Sequence, residues 1–253
     1  MSAQTAIFLS IRDKATRLPG KVRAEIGGRP AMIQLLERLK CAREAGLLLV
    51  CTSVHPDDAA LVTLADSVGV SSFRGSEDDK LDRYLKAAQA HGVEFAVIVD
   101  GDDILCDAGV VDEIIRAYRA TGADYILARN LPLGATGFGL KVAALERVCR
   151  GKAETETEVW GDYFADAARF RTLELDLDPE LSHPEFRMTL DYEEDLRFFR
   201  AVFDALPQPF DLKDVVRLLV ARPEIAALNA GVQAIYEKHL QKSTPARMKP
   251  GAW

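Results

Sequence analysis

The amino-acid sequence predicts an α/β protein in which helices cover both faces of a mainly parallel sheet. Short apolar runs of strand length recur along the chain, and amphipathic helical segments separate them. Two of these runs, LLLVCTS at 47–53 and FAVIV at 95–99, are continuously apolar, which is typical of strands covered on both faces. Strands that alternate with helices indicate parallel strand-helix-strand units.

Local patterns place each element in order. Pro30 opens the first helix, whose apolar residues Ile33, Leu36 and Leu39 share one face, and Gly46 ends it. The predicted strands are 6–10, 47–53, 70–73, 95–99, 124–128 and 186–190, and the segment 140–148 is predicted to be a strand that runs into a short helix. The other predicted helices are 55–68, 79–90, 107–121, 193–205 and 212–220. The glycine-rich stretch 130–139 is predicted to be a loop.

The length and composition indicate one globular domain. With 253 residues, of which 48% are hydrophobic and 28% charged, the chain can bury a full core. We expect a domain at 1–240 and a loose C-terminal tail at 241–253, with room for a small dimerisation arm.

Charge and patterning exclude several classes of protein. The net charge of −7 and the absence of a basic run make nucleic acid a poor partner. No stretch reaches the roughly 18 apolar residues that span a bilayer, the N-terminus lacks a signal-peptide pattern, and the four cysteines show no CxxC spacing. We therefore expect a cytoplasmic protein that does not insert into membranes.

The first polar constellation is a basic loop at residues 11–23, directly after the first strand. Arg12, Arg17 and Lys21 lie within ten residues, on a loop that carries Pro19 and Gly20. A solvated surface loop is the alternative interpretation. Because ligands of open α/β sheets bind at the carboxyl ends of the strands, the position of this loop favours a site for phosphate groups.

Two further constellations contain carboxylates. Asp100, Asp102 and Asp103 follow the apolar strand at 95–99, and Mg²⁺ prefers a few carboxylates together with phosphate oxygens and water. Capping of the next helix is the alternative for Asp102 and Asp103. Asp191 follows the apolar run that contains Arg187, and taken alone its spacing to a glutamate three residues later indicates a helix N-cap.

Taken together, these segments resemble the cytidylyltransferases that activate sugar acids. The matching stretches are TRLPGKVRAEIGGRP, CTSVHPDD, FRGSEDDKLDRYLKAA, the GDD of VDGDD, and RMTLDYEEDLRFF. The resemblance includes 3-deoxy-manno-octulosonate and acylneuraminate cytidylyltransferases and is closest to the spore-coat polysaccharide biosynthesis branch. It implies a Rossmann-like nucleotidyltransferase fold, similar to that of GT-A glycosyltransferases, and a homodimer.

The resemblance also assigns roles to residues. Arg12 and Lys21, with Arg17 nearby, would hold the phosphates of CTP and act in catalysis, and Asp102 and Asp191 would bind Mg²⁺. The remaining implied nucleotide-binding residues are Thr52, Ser53, Gly75, Ser76 and Arg83. Our candidates for binding an acidic acceptor are Arg187, the 130–139 loop and, more weakly, Lys141.

This chain departs from the usual family pattern at four positions. Lys14 and Ala15 replace a glycine and a serine of the phosphate loop, Ile104 replaces a proline, and Asp103 adds a negative charge. These departures leave room for altered substrate choice or reduced activity.

The implied reaction is transfer of CMP from CTP to a sugar acid, sugar phosphate or phosphonate with release of pyrophosphate, in the biosynthesis of cell-surface polysaccharide or glycan precursors. Two alternatives remain open. Asp100-Gly101-Asp102 is a DxD motif, as found in metal-dependent glycosyltransferases of the same sheet type. The departures at Lys14, Ala15 and Ile104 would also suit a nucleotide-binding protein without catalytic activity.

Overall fold

The computed structural model of the chain describes residues 4–14, 17–240 and 244–251, and only the backbone of residues 239 and 240. The described strands are β1 (Thr5–Ser10), β2 (Glu25–Ile26), β3 (Arg29–Pro30), β4 (Leu47–Ser53), β5 (Ser71–Gly75), β6 (Phe95–Asp100), β7 (Tyr125–Ala128), β8 (Phe138–Lys141) and β9 (Thr172–Leu175). The described helices are α1 (Ala31–Leu39), α2 (Ala59–Ser67), α3 (Lys80–His91), α4 (Ala108–Thr121), α5 (Val142–Gly151), α6 (Glu193–Ala205), α7 (Leu212–Ala221), α8 (Pro223–Ala230) and α9 (Gln233–Leu240).

A seven-stranded sheet in the order β5-β4-β1-β6-β8-β7-β9 forms the centre of the molecule. β1 pairs in parallel with β4 and β6, β4 with β5, and β7 with β9. β8 is antiparallel to both of its neighbours, β6 and β7. The prediction of a mainly parallel sheet flanked by helices is therefore confirmed, with β8 reversed.

Successive residues of β1 point to opposite faces of the sheet, and each face has its own apolar core. Ile7 and Leu9 pack in one core, which α1, α2, α4, α6 and α7 complete. Ala6 and Phe8 pack in the other core, which α3, α5 and the segment around Trp160 complete. Because every residue of such a strand is buried, β1 reads as continuously apolar in the sequence.

The prediction of a strand at 186–190 is wrong. The segment is extended and buried, but its backbone pairs with a loop: the Leu133 amide donates to the Phe186 carbonyl at 3.1 Å, and the Leu190 amide donates to the Asp102 carbonyl at 2.9 Å. The apolar side chains of this segment correctly predict that it is buried, but they do not predict which backbone groups it pairs with. Those bonds nevertheless bring the end of this segment to the end of β6.

Five of these strands and helices are not predicted from the sequence: strands β2 and β3, which form a short hairpin, the edge strand β9, and helices α8 and α9. Pro223 could have indicated the start of α8, because proline is favoured in the first turn of a helix. The tail is not loose where it is described. Met248 forms a bridge with Lys152, and the Lys249 amide donates to the Gly151 carbonyl.

A search of the described ranges finds no helix long and apolar enough to cross a membrane.

Candidate active site

A cavity of about 720 Å³ opens at the carboxyl edge of the sheet, where β1 and β6 end. Its walls bring together residues that are far apart in the chain, from Ser10 to Tyr236. Six of the predicted site residues line it, namely Arg12, Arg17, Lys21, Arg83, Asp102 and Asp191. The three sequence constellations therefore meet at one place.

The ammonium group of Lys21 lies between two carboxylates. Its Nζ is 2.8 Å from Oδ2 of Asp102 and 3.1 Å from Oδ1 of Asp191. Burial lowers the pKa of Lys21, but the two aspartates outweigh burial and raise that pKa to about 12. Lys21 also outweighs the effect of burial on Asp102 and lowers the pKa of that carboxyl group. Both shifts favour the charged forms of Lys21 and Asp102.

Asp191 is the most densely paired carboxylate of the cavity. Its Oδ1 also accepts a hydrogen bond from Nη2 of Arg17 at 2.7 Å, and its Oδ2 accepts one from Nη2 of Arg187 at 3.2 Å. Arg187 is in turn paired with the buried Asp195 at 2.9 Å. Asp195 rather than Asp191 serves the start of α6, since its side chain accepts from the backbone amide of the N-cap, Tyr192. The simple N-cap interpretation of Asp191 is therefore wrong.

A second chain of charges runs along the opposite wall. Glu158 pairs with Arg12 at 2.7 Å and with Lys80 at 2.9 Å, and Lys80 also contacts Asp100 at 3.2 Å. Burial opposes ionisation of Glu158, but Lys80 and Arg12 outweigh it and lower the pKa of the carboxyl group. The Glu158 carboxylate thus bridges two cations through its two oxygens, at a position that an anionic ligand could occupy instead.

Tight packing fixes the backbone on which these charges stand. Gly20, at φ 71°, turns the basic loop immediately before the short 3-10 helix that carries Lys21. A Cβ atom on Gly101 would lie 2.5 Å from Ile11, so only glycine fits between the two aspartates of the DGD sequence. Asp58 holds the start of the basic loop, because its Oδ1 accepts from the Asp13 amide at 2.8 Å.

Arg83 is the predicted nucleotide-binding residue with the clearest unmet bonding capacity. Its guanidinium is fully buried, and Nη1 donates to the Ser76 carbonyl at 2.9 Å. Within the described residues, its Nε and Nη2 find no hydrogen-bond partner. Buried donors without partners are costly, so a ligand that supplies acceptors in this part of the cavity would be stabilised.

The other predicted nucleotide-binding residues stand behind the cavity wall. Ser53 donates to Asp58 at 2.5 Å, and the Thr52 hydroxyl is buried without a partner in the described parts of the chain. A Cβ atom on Gly75 would lie 3.0 Å from the Arg83 side chain, and Ser76 positions Arg83 through its carbonyl. The structure brings these residues next to the site, and their role in binding remains a prediction.

The structure argues against both predicted acceptor-binding cations. Arg187 is 4% exposed and donates to Asp191, Asp195 and Gln233, so its guanidinium is occupied behind the cavity wall. Lys141 ends the antiparallel strand β8 and pairs in register with Phe95, the first residue of β6. It therefore lies at the amino edge of the sheet, away from the cavity, because β8 runs opposite to the expected direction.

The departures from the family pattern have separate structural outcomes. Lys14 is exposed and pairs with Glu77 at 2.9 Å. Ile104 is fully buried in the core. Burial and the neighbouring Asp102 and Asp100 raise the pKa of Asp103 well above its usual value, which opposes the extra negative charge expected. Ala15 lies outside the described residues.

Asp102 and Asp191 form a donor set that suits Mg²⁺, because that ion commonly binds to one or two carboxylates and fills its other positions with phosphate oxygens and water. Within the described ranges, no group of three or more His, Cys, Asp or Glu residues is arranged to hold a metal ion. Direct bridging needs carboxylate oxygens within about 4.2 Å of each other, since Mg–O bonds are about 2.1 Å long. Lys21 would have to leave the space between the two carboxylates for such bridging.

Four residues of the site were not found from the sequence: Lys80, Glu158, Asp195 and Tyr236. Lys80 begins α3 inside the FRGSEDDKLDRY segment, so its position after a strand was an available signal. Glu158 and Tyr236 lie in segments without a motif, and only the three-dimensional fold brings them to the cavity.

The raised pKa of Asp103 leads to a prediction about stability. In the unfolded chain Asp103 ionises near its ordinary pKa of about 3.9, whereas the folded chain binds the proton more tightly. Wild-type stability should therefore decline as pH rises above about 4 toward the folded-state pKa. Asp103→Asn removes this loss, so the unfolding free energy of the variant should gain on wild type between pH 5 and 7.5.

Urea unfolding at a series of pH values measures the difference. The exposed Asp204→Asn is the matched control and should show no such trend. A difference between Asp103→Asn and wild type that is independent of pH would show that Asp103 is ionised in the folded protein.

The amino-acid sequence is similar to those of known cytidylyltransferases. The sequence profile of a family described as Cytidylyltransferase matches residues 6–209. The spore coat polysaccharide biosynthesis protein SpsF of Bacillus subtilis is 26% identical over 228 residues, covering 87% of this chain and 95% of that protein. A 3-deoxy-manno-octulosonate cytidylyltransferase of Anaeromyxobacter is 30% identical over 131 residues, which is 51% of this chain and 53% of that protein.

Solved structures share the fold. A cytidylyltransferase from Leptospira borgpetersenii superposes with a TM-score of 0.81 at 24% identity, covering 88% of this chain and 97% of that one. The CMP:2-keto-3-deoxy-manno-octonic acid synthetase complexed with CTP superposes with a TM-score of 0.63 at 14% identity, covering 80% and 99%. The predicted Rossmann-like nucleotidyltransferase fold is confirmed. With four fifths of its length matched by the family profile, the chain belongs to the cytidylyltransferase family of enzymes.

Proposed function

We propose that this enzyme transfers CMP from CTP to a small anionic acceptor and releases pyrophosphate. The observation that carries the proposal is the placement of Lys21 between Asp102 and Asp191 in the wall of the large cavity. This arrangement joins a cation for phosphate groups to two carboxylates at the place where the nucleotide and the acceptor would meet.

The cations of the cavity suit a triphosphate. Arg12, Arg17, Lys21 and Lys80 all line it, from two elements on different sides. Each is now paired with a carboxylate, so an incoming phosphate exchanges one anionic partner for another. Such cations, fixed in place before the reaction, stabilise charge that develops on phosphate oxygens without further reorganisation.

In the proposed reaction an oxygen of the acceptor attacks the α-phosphorus of CTP. The bond from that phosphorus to the oxygen bridging to the β-phosphorus breaks, and pyrophosphate leaves with the bonding electrons. Lys21 and Arg12 would neutralise the charge that grows on this leaving group. A phosphate or phosphonate acceptor is already anionic, whereas a sugar hydroxyl would need to lose a proton.

Asp102 and Asp191 are the proposed ligands of Mg²⁺. When bound, the ion would screen the negative charge of the phosphate oxygens and favour an incoming anionic oxygen. Arg17 and Arg187 would keep Asp191 oriented, as hydrogen-bonded partners commonly do for metal-binding carboxylates.

Arg83 is the proposed determinant of base choice. Its two unpartnered nitrogens are donors, and the cytosine ring offers adjacent acceptors at O2 and N3. Uracil carries a donor at N3, which would face the guanidinium without a bond. We therefore propose a preference for CTP over UTP at this site.

The acceptor would lie beside Asp191, near Arg17 and the loop that follows β7. Asn130 in that loop has φ 58°, in the left-handed region that asparagine tolerates, and lines the cavity. With Arg187 and Lys141 placed elsewhere, Arg17 and Asn130 become the proposed contacts of the acidic group.

The relative SpsF bears the name of a spore coat polysaccharide biosynthesis protein, and this name supports a role in cell-surface polysaccharide or glycan precursors. We also propose a cytoplasmic location, where CTP is made, and a homodimer.

The proposed function predicts pyrophosphate release from CTP, but not from ATP, GTP or UTP, with at least one member of an acceptor panel. The panel contains sugar acids, sugar phosphates and phosphonates, and mass spectrometry should detect the CMP-linked product. Release of UDP or CMP from a nucleotide sugar would instead indicate a glycosyltransferase. CTP binding without turnover across the panel would indicate a non-catalytic nucleotide-binding protein.

Lys21→Met should lower turnover by about 100- to 1,000-fold, because the leaving group loses a preorganised cation. It should also lower the unfolding free energy in EDTA by about 1–3 kcal/mol, because Asp102 and Asp191 lose their shared cation. The loss is smaller than for a fully buried pair, since Arg17 and Arg187 still pair with Asp191. Mg²⁺ should restore part of this stability in the variant. The surface Lys213→Met is the control, and near-normal turnover of Lys21→Met would remove Lys21 from the mechanism.

Arg83→Gln should abolish the preference among nucleotides. CTP should raise the melting temperature of wild type more than UTP, ATP or GTP does, because only a ligand that binds the folded state stabilises it. In the variant, CTP and UTP should protect equally, while the exposed Arg43→Gln should keep the wild-type order. Equal protection of wild type by all four nucleotides would refute the cytidylyl assignment.

A further inference from the structure

Helix α9 reaches the active site from outside the part of the chain that defines the family. The family profile ends at residue 209, whereas α9 spans Gln233–Leu240. Tyr236 on this helix nevertheless lines the large cavity together with Asp191 and Lys21. Helix α9 therefore contributes a side chain to the wall of the cavity.

We propose that α9 is an active-site element that positions Asp191: Gln233 and Tyr236 hold the guanidinium of Arg187, and Arg187 holds the carboxylate. The inference rests on the proposed function, because it takes Asp191 to be a metal ligand. Gln233 and Tyr236 are thus positioning residues, acting through Arg187.

Arg187 is held on every side by groups of the described chain. Its Nη1 donates to Oε1 of Gln233 at 3.1 Å, and its Cζ lies 4.6 Å from the centre of the Tyr236 ring. Its Nε and Nη2 donate to Asp195 at 2.9 Å and 3.1 Å. Its Nη2 also donates to Oδ2 of Asp191, at 3.2 Å.

The neighbouring helix α8 fixes the same group from behind. The side-chain amide of Asn229 donates to the Arg187 carbonyl at 3.0 Å and to Oδ1 of Asp195 at 2.9 Å. Asn229 is 1% exposed, so these bonds are shielded from water. Arg187 therefore has one orientation, and that orientation directs Nη2 to the carboxylate of Asp191.

The cations that contact Asp191 differ in whether a bound phosphate could displace them. Arg17 and Lys21 hold the other oxygen of Asp191, and both also line the cavity, where a phosphate can draw them away. Arg187 is behind the wall and stays. When CTP binds, Arg187 is then the partner that keeps Asp191 in place to bind a cation, and partners of this kind typically affect metal affinity about 10- to 100-fold.

Binding of Mn²⁺ in the presence of saturating CTP tests the proposal on the full-length protein. The electron paramagnetic resonance signal of free Mn²⁺ reports the affinity, and no acceptor or turnover is needed. Gln233→Ala should weaken Mn²⁺ binding by about threefold to tenfold, less than the loss of a direct partner of a ligand. Gln233→Glu, which still offers an acceptor to Arg187, should stay within about twofold of wild type.

Two further variants separate positioning from packing. Ile235→Ala alters an exposed residue of the same helix and should leave Mn²⁺ affinity unchanged. Tyr236→Phe keeps the ring against Arg187 and should also retain wild-type affinity, whereas Tyr236→Leu should lose it. Metal-free protection by CTP against thermal unfolding should be the same in all these variants.

Wild-type Mn²⁺ affinity in Gln233→Ala would overturn the proposal. So would an equal loss of affinity in Gln233→Ala, Gln233→Glu and Ile235→Ala, since that would show that α9 only packs. Failure of every acceptor to yield a CMP-linked product would refute the proposed function alone, because the Mn²⁺ measurement stands without an acceptor.

Discussion

The ion pairs of Lys21 with Asp102 and Asp191 hold the site together, because they join three segments that are distant in the sequence. Lys21 comes from the basic loop, Asp102 from the end of β6, and Asp191 from the extended segment after β9. Two carboxylates this close would repel each other in a partly buried cavity without a cation between them. In the free protein Lys21 therefore compensates the charge of Asp102 and Asp191, as a metal ion is proposed to do in the complex. Lys21 and the metal ion cannot both occupy the space between the two carboxylates.

This constraint links nucleotide binding to metal binding. If the phosphates of CTP draw Lys21 away, Asp102 and Asp191 lose their shared cation, and a divalent ion becomes favourable at that point. The same exchange applies on the opposite wall, where Glu158 bridges Arg12 and Lys80. A chain with a net charge of −7 can thus hold an anionic substrate, because its cavity keeps cations fixed and paired until the substrate replaces their partners.

The sequence predicted the α/β class, most helices and the convergence of Arg12, Arg17, Lys21, Arg83, Asp102 and Asp191 at one edge, since apolar runs mark buried strands and ligands bind at their carboxyl ends. The sequence pattern does not predict the direction of a strand or the partners of a buried side chain. The prediction for Lys141 is wrong because hydrophobic periodicity does not reveal that β8 is antiparallel. The prediction for Arg187 is wrong because its burial between Asp191 and Asp195 depends on α8 and α9, which the sequence pattern does not indicate. Glu158 and Tyr236 carry no local pattern, so only the fold could identify them.

The proposed mechanism requires that Lys21 and a metal ion exchange places between the two carboxylates when CTP binds. Anomalous diffraction from crystals soaked with Mn²⁺ and CTP would locate both groups. We expect a Mn²⁺ peak within bonding distance of Asp102 and Asp191, with Nζ of Lys21 moved onto a phosphate oxygen. A complex in which CTP and Mn²⁺ are bound while Lys21 still lies between the two aspartates would rule out the exchange.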